Sequence, residues 1–255
     1  MYPVLLTGLL WLAAMLGLFL AAQRWLHRQI HAILLMLTRR PNLALGLFSL
    51  VFFPGVFLHE MSHFLMARLL QVRTGRFSLL PKVMADATLR MGYVETARTD
   101  VLRDALIGTA PLLTGGAAVA LIGIYQMKVV PLFAYLSGGQ WDSLWNGLGA
   151  LPDQPDFWLW FYLAFSVATT MLPSDSDRRA WQPILLWVAL LTGAAALAGA
   201  GPWMLENLAP ALNAGLRAGA VVFVISLGLH LLLWIPFRLL RALLQRVTGV
   251  RLVMR

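Results

Sequence analysis

Six apolar stretches, at residues 3–22, 43–71, 105–127, 157–172, 183–200 and 217–237, follow one another between charged or Gly/Pro-rich breaks. A helix crosses a bilayer with roughly twenty mostly apolar residues. In lipid a backbone is satisfied only within helices or a closed barrel, and runs this long select helices. Composition agrees: 60% of the 255 residues are hydrophobic, 12% are charged and the mean hydropathy is +0.74. Soluble domains carry about 25% charge. The expectation is an all-α polytopic membrane protein with about six transmembrane helices, embedded in a lipid bilayer. The first run lacks a basic leader and a small-residue cleavage site, which marks it as a retained span and not a signal peptide.

The connections carry their own patterns. Arg24, His27, Arg28 and His31 share one helical side, with Trp25, Leu26, Ile30, Ile33, Leu34 and Leu37 on the other, as in an interfacial amphipathic helix. Residues 72–104 are the most polar stretch, and "RFSLL" and "TLRMGYVET", separated by Pro81, read as short strands of a hairpin. "SGGQWDSLWNGLGALPDQPD", within 128–156, reads as an interfacial loop. Three segments result: 1–42 with the first span and the amphipathic helix, 43–182 with three spans and the hairpin, and 183–255 with two further spans and a basic tail. With the N-terminus cytoplasmic, the inner connections hold 13 Lys and Arg and the outer ones 6. The positive-inside bias therefore predicts both termini in the cytoplasm, with the second run passing from outside to inside. The net charge of +9 sits at the flanks of spans, where it suits orientation and anionic lipid, so nucleic acid is not an expected partner. A compact chain without a targeting signal is expected in a prokaryotic inner membrane.

The second run ends in "FLHEMSH", residues 57–63. The chain has no cysteine, so disulfides and thiolate sites are excluded and a zinc site must use His, Asp or Glu. In HExxH, positions i and i+4 lie on one helical face, so His59 and His63 can converge on one ion. Glu60 lies about 100° round the helix and can reach a water on that ion. Counted from Leu43, an unbroken helix would carry His59 roughly 24 Å into a hydrocarbon layer of about 30 Å. Ionisable groups at that depth mark a function. Zinc wants a third protein ligand, and "MLPSDSDRR" reaches a matching depth, roughly 23 Å from Phe157. Pro173 breaks the helix there, and Asp175 or Asp177 could supply the carboxylate. Ser166, Thr169 and Thr170 either line that pocket or bond back to their own helix. His230 reads as a hydrogen-bonded packing residue, and His27 and His31 as interfacial. Gly115, Gly116, Ala120, Gly215 and Gly219 read as small residues at close helix crossings.

The stretch from His59 to Leu79, "HEMSHFLMARLLQVRTGRFSL", resembles the site-2 protease family of intramembrane zinc metallopeptidases. Arg68, Val72, Arg73, Phe77 and Ser78 fall where that family has its apolar segment, basic turn and Phe-Ser strand. "MGYVE" at 91–95 is similar to its following strand, and "IGTAPLLTGG" at 107–116 to the start of its next helix. Thr170, Leu172, Pro173 and Asp177 lie where the family has Asn-x-x-Pro and its ligand Asp. Thr170 stands in place of the Asn, the Leu-Asp-Gly signature is absent, and Asp177 is one residue nearer its proline. "DRR" matches the residues that come after the family Asp, and so selects Asp177 over Asp175.

The resemblance implies Zn2+ held by His59, His63 and Asp177, with Glu60 as general base, in a three-helix core whose metal-binding elements face the cytoplasm. It implies a metalloendopeptidase that cleaves transmembrane or membrane-tethered proteins, with the strand at Thr88–Val94 as an edge for an unwound substrate. A metal-handling transporter built on the same His and Asp residues, and a member that has lost proteolysis, are the competing readings.

Overall fold

A computed structural model describes residues 3–79, 82–83, 89–90 and 92–249. No glycine or proline occurs between Gly17 and Pro41, and helix α1 (Pro3–Thr38) runs unbroken for 36 residues. The expected break after residue 22 is absent. Arg24, His27, Arg28 and His31 belong to the second half of α1 and not to a separate amphipathic helix.

Proline, which fits a helix only in its first turn, opens the next two elements. Pro41 begins α2 (Pro41–Val51) and Pro54 lies in the first turn of α3 (Phe53–Leu69). The two helices are bent by 70° at Phe52. The second expected span is thus a broken pair, and the depth counted from Leu43 does not hold: His59 lies six residues past the first residue of α3, about 9 Å along its axis. Phe52 is fully buried in the elbow, with its ring 4.8 Å from Phe48, 5.3 Å from His27 and 5.6 Å from Phe165.

The polar stretch forms strands as expected. β1 (Thr74–Ser78), β2 (Lys82–Val83), β3 (Leu89–Arg90) and β4 (Tyr93–Thr96) pair antiparallel as β1 with β4 and β2 with β3, with a register irregularity between Thr74 and Phe77. Pro81, Thr88 and Met91 lie outside the described residues. Asp100 then caps α4 (Val101–Leu121) by accepting from the Arg103 N–H, which satisfies one of the free amides of the first turn. Residues 128–156 are not a loop. They fold as α5 (Val130–Ser137), α6 (Trp141–Ala150) and a 3-10 turn. Trp141 and Trp145, one turn apart, are exposed, while Leu132 and Leu148 pack on the core.

α7 (Phe157–Thr170) is a short apolar helix. α8 (Trp181–Ala195) follows residues 171–180, and a π-helical turn at Ala196–Ala200 joins it to α9 (Gly201–Thr248). Gly199 has φ 92° within that turn. This left-handed conformation ends one helix and starts another, and glycine adopts it without a side-chain penalty. Among the described residues, three helical stretches are long and apolar enough to cross a membrane, or four if α2–α3 counts as one span. The protein is an all-α membrane protein with a small sheet.

Contacts fix the relative directions. α3 and α7 run parallel and in step: the Tyr162 hydroxyl donates to the Val51 carbonyl, the Gly55 N–H to Ser166 Oγ, and His59 Nδ1 meets the Thr170 carbonyl. A Cβ on Gly55 would stand 2.2 Å from the Ser166 carbonyl oxygen, and one on Gly115 of α4 2.5 Å from Met171 Cβ. Lipid tails are as apolar as leucine, so such close approaches hold membrane helices together where burial alone does not. Gly219 also lies near Leu12, whereas Gly215 faces nothing within 4 Å and is not at a crossing.

α1 packs chiefly on α9, and the contacts climb both helices together. Gly8 donates to Asn213 and Arg217 to Thr7, Phe19 packs on Phe223, Trp25 on Trp234, and Arg241 donates to Gln29. The two helices are therefore parallel. The orientation expected from charge needs the first and last spans antiparallel, with both termini on one face. In the parallel pair, the start of α1 and the end of α9 lie at opposite ends. The physical cause is the missing break at residue 22, because Arg24, Arg28, Arg39 and Arg40 do not form an outer connection. They join the arginines of residues 73–103, 178–179 and 238–246 at one end, and among the described residues only Lys128 and Arg217 sit at the other.

Candidate metal centre

Helix periodicity puts the imidazoles of His59 and His63 on one face of α3, and the parallel fit of α3 on α7 carries them to the end of α7. There Met171 and Leu172 lead to Pro173, the chain leaves helical geometry, and residues 174–177 turn back across the α3 face. His59 Nε2 and His63 Nε2 are 3.2 Å apart. Asp177 Oδ2 lies 3.7 Å from the first and Oδ1 3.4 Å from the second. Two atoms each about 2.05 Å from one zinc ion, at the tetrahedral angle, stand about 3.3 Å apart. Each contact is thus close to the spacing of two zinc ligands, and one ligand atom from each residue can be taken with all three within 4.8 Å of one another.

The protonation pattern points the same way. His59 Nδ1 lies 2.7 Å from the Thr170 carbonyl oxygen and His63 Nδ1 2.8 Å from that of Ile107. A carbonyl only accepts, so both Nδ1 atoms carry hydrogen and both Nε2 atoms are left as acceptors. With both rings neutral, two lone pairs and a carboxylate converge with no donor between them, an arrangement that either a metal cation or a proton on one Nε2 relieves. Carbonyl partners of this kind also hold a ligating imidazole in its tautomer and orientation. Among the described residues, His59, His63 and Asp177 form the group that could hold a metal ion.

Asp177 is fixed from its own turn, where the Ser174 N–H and hydroxyl both donate to Oδ2, at 2.7 and 2.6 Å. Burial acts to raise its pKa, but hydrogen bonding to His59, His63 and Ser174 and the charge of His63 outweigh it. The carboxyl stays well below the ordinary carboxylate range. Asp175 is elsewhere. It is 99% exposed and paired with Arg178. Ser174 was not legible as a partner of the ligand, since nothing in "PSDSD" tells which serine folds back. Arg179 makes a two-pronged ion pair with Asp104 at the start of α4 and so ties the turn that carries Asp177 to that helix.

Glu60 is 7% exposed and lines, with His59, His63 and Asp177, a cavity of about 450 Å³. Gly92, Val94 and Thr96, alternate residues at the start of and along β4, form one wall, and Thr169, Thr170 and Gln23 another. A Cβ on Gly92 would stand 2.8 Å from Glu60 Cγ and 3.0 Å from its Oε1. The bare backbone at Gly92 lets the strand close over the glutamate. Ser166 does not line the cavity but holds α3 to α7 through Gly55. Thr170 donates back to the Ser166 carbonyl. His230 is buried, with Nδ1 on the Ser226 carbonyl and Nε2 3.2 Å from the Thr169 hydroxyl, and serves to pack α9 on α7. The rings of His27 and His31 pack on Phe48, between α1 and α2.

Gly108 sits under the ligand turn, where a Cβ would lie 2.0 Å from the Asp177 carbonyl oxygen. Gly108→Ala is therefore expected to push Asp177 out of register and weaken metal binding by about 10–100-fold, the range found when a ligand loses its support. Titration of the metal-free variant with zinc against a competing chelator measures it, and an affinity equal to wild type would contradict the geometry. No protein family, curated protein or solved structure matches the chain.

Proposed function

We propose that the protein is a zinc-dependent intramembrane endopeptidase that hydrolyses peptide bonds in or near transmembrane segments of other proteins. One observation carries this reading: a His-His-Asp group able to hold a metal ion shares a cavity with a buried glutamate, among apolar helices. Three protein ligands leave an open position on the ion, the mark of catalytic and not structural zinc. When bound, zinc polarises a carbonyl and brings the pKa of water to about 7. The Glu60 carboxylate takes the proton of the attacking water and returns it to the leaving amine. His59 and His63 stay in the tautomer that the Thr170 and Ile107 carbonyls impose. A substrate helix must unwind to expose its bonds, and β4, an edge of a two-stranded sheet among the described residues, offers it main-chain pairing along the cavity wall. Transport is less well supported, because Phe19, Phe157, Phe161 and Phe223 fill the region between the cavity and the far end of the helices.

The same reading assigns the topology. The arginine-rich end faces the cytoplasm, α1 crosses inward, and α2–α3 enters and returns as a re-entrant pair. α4 then crosses outward, α7 returns, and α8 and α9 complete the path. Five passages leave the N-terminus outside and the C-terminal tail inside, in a prokaryotic inner membrane. The decisive experiment combines metal analysis of purified wild type and His59→Ala with cleavage of a panel of transmembrane substrates. One zinc per chain, with cleavage, both lost on substitution, is the expected result. Bound zinc without cleavage of any substrate would count against the peptidase.

A further inference from the structure

α1 and α9 enclose a second cavity, of about 470 Å³, lined by Trp25, Gln29, Trp234, Arg238, Arg241 and Gln245. It lies beyond Gln23 and Thr169, toward the arginine-rich end of the pair. Its residues form a cationic and aromatic set. Arg241 Nη1 donates to Gln29 Oε1 at 2.9 Å, and the Arg238 guanidinium lies over the Trp234 ring, 5.7 Å from its centre. That ring lies 5.2 Å from Trp25. The first acidic residue in the sequence is Glu60 and the last is Glu206, so α1, α2 and all of α9 beyond its first turns contribute no carboxylate.

Arg238 and Arg241, three residues apart, project from one face of α9. Two guanidiniums placed so match the oxygens of a phosphate in a way that lysine does not. The surroundings indicate where that phosphate comes from. Tryptophans mark the level of lipid headgroups, and Leu231, Leu232 and Ile235, a turn or so earlier on α9, are 52%, 53% and 60% exposed, a surface for acyl chains. Basic pockets between helices at the cytoplasmic leaflet attract anionic lipids.

We infer that this cavity is a binding site for the phosphate of an anionic phospholipid, which bridges α1 and α9. The site does not rest on the metal centre or on peptidase activity. To test it, full-length protein is purified in neutral detergent and titrated with phosphatidylglycerol and, separately, phosphatidylcholine, with bound lipid counted by native mass spectrometry. Inorganic phosphate serves as competitor. The expected result is one phosphatidylglycerol per chain under conditions that leave phosphatidylcholine unbound. Affinity should be weaker by about tenfold or more in the Arg238→Gln, Arg241→Gln double variant, and unchanged in Arg217→Gln at the opposite end. Arg241→Lys keeps the charge and the fold, and should still lose affinity by about threefold or more. Equal binding of both lipids, or affinity within twofold of wild type in both the double variant and Arg241→Lys, overturns the inference. Displacement of the lipid by equimolar inorganic phosphate overturns it too, since the site would then take the free anion.

Discussion

Cleavage by the Glu60→Gln protein is expected to fall by about 10²–10⁴-fold, the usual contribution of a positioned general base, with zinc still bound at the wild-type level. Glutamine keeps the length and volume of the side chain beneath Gly92, so the fold and the His-His-Asp triangle are left in place. The substitution removes only the capacity to accept a proton. Retained zinc with lost cleavage separates chemistry from structure. Single-turnover assays at saturating substrate give the rate, and mass spectrometry of the intact protein gives the metal. Wild-type turnover by this variant would remove Glu60 from the mechanism.

Asp177→Ala and Asp175→Ala are expected to part company completely. Asp177 closes the triangle at 3.4 and 3.7 Å from the two imidazoles. Its loss leaves two neutral ligands and no compensating charge, so zinc affinity should fall by more than the roughly 10–100-fold caused by loss of an outer partner. Cleavage should vanish at ambient zinc. Asp175 is 99% exposed and paired with Arg178, and exposed pairs of this kind contribute about 0–1 kcal/mol. Its replacement should change neither metal content nor rate. Zinc retained at one per chain in Asp177→Ala would refute the assignment of the third ligand.

Part of this architecture was legible in the residues. The i, i+4 spacing of His59 and His63 states their common face whatever the tertiary structure does, and Pro173 marks where α7 must stop. The choice between Asp175 and Asp177 was not legible from spacing, because it depends on a four-residue turn closed by Ser174. The bend at Phe52 was hidden for a related reason: apolar content continues through residues 43–69, and hydropathy registers composition and not direction. Helix direction misled in turn. Arg24 and Arg28 read as part of a separate interfacial helix in an outer connection, yet no glycine or proline there breaks the first helix, and α1 carries them on to Thr38. The short helices at 130–150 were disguised by Gly, Asp and Pro: Gly138, Gly139, Pro152 and Asp153 belong to the connections, but Asp142, Gly147 and Gly149 lie within α6 itself.

Both imidazoles are latched by main-chain oxygens of neighbouring helices, Thr170 at the end of α7 and Ile107 on α4. No side-chain replacement can delete such a latch. It can be undone only by sliding or tilting one helix against α3. The affinity of this group for a metal ion would consequently gauge helix spacing, so that bilayer thickness or an incoming substrate that prises the helices apart would register first as weaker metal binding.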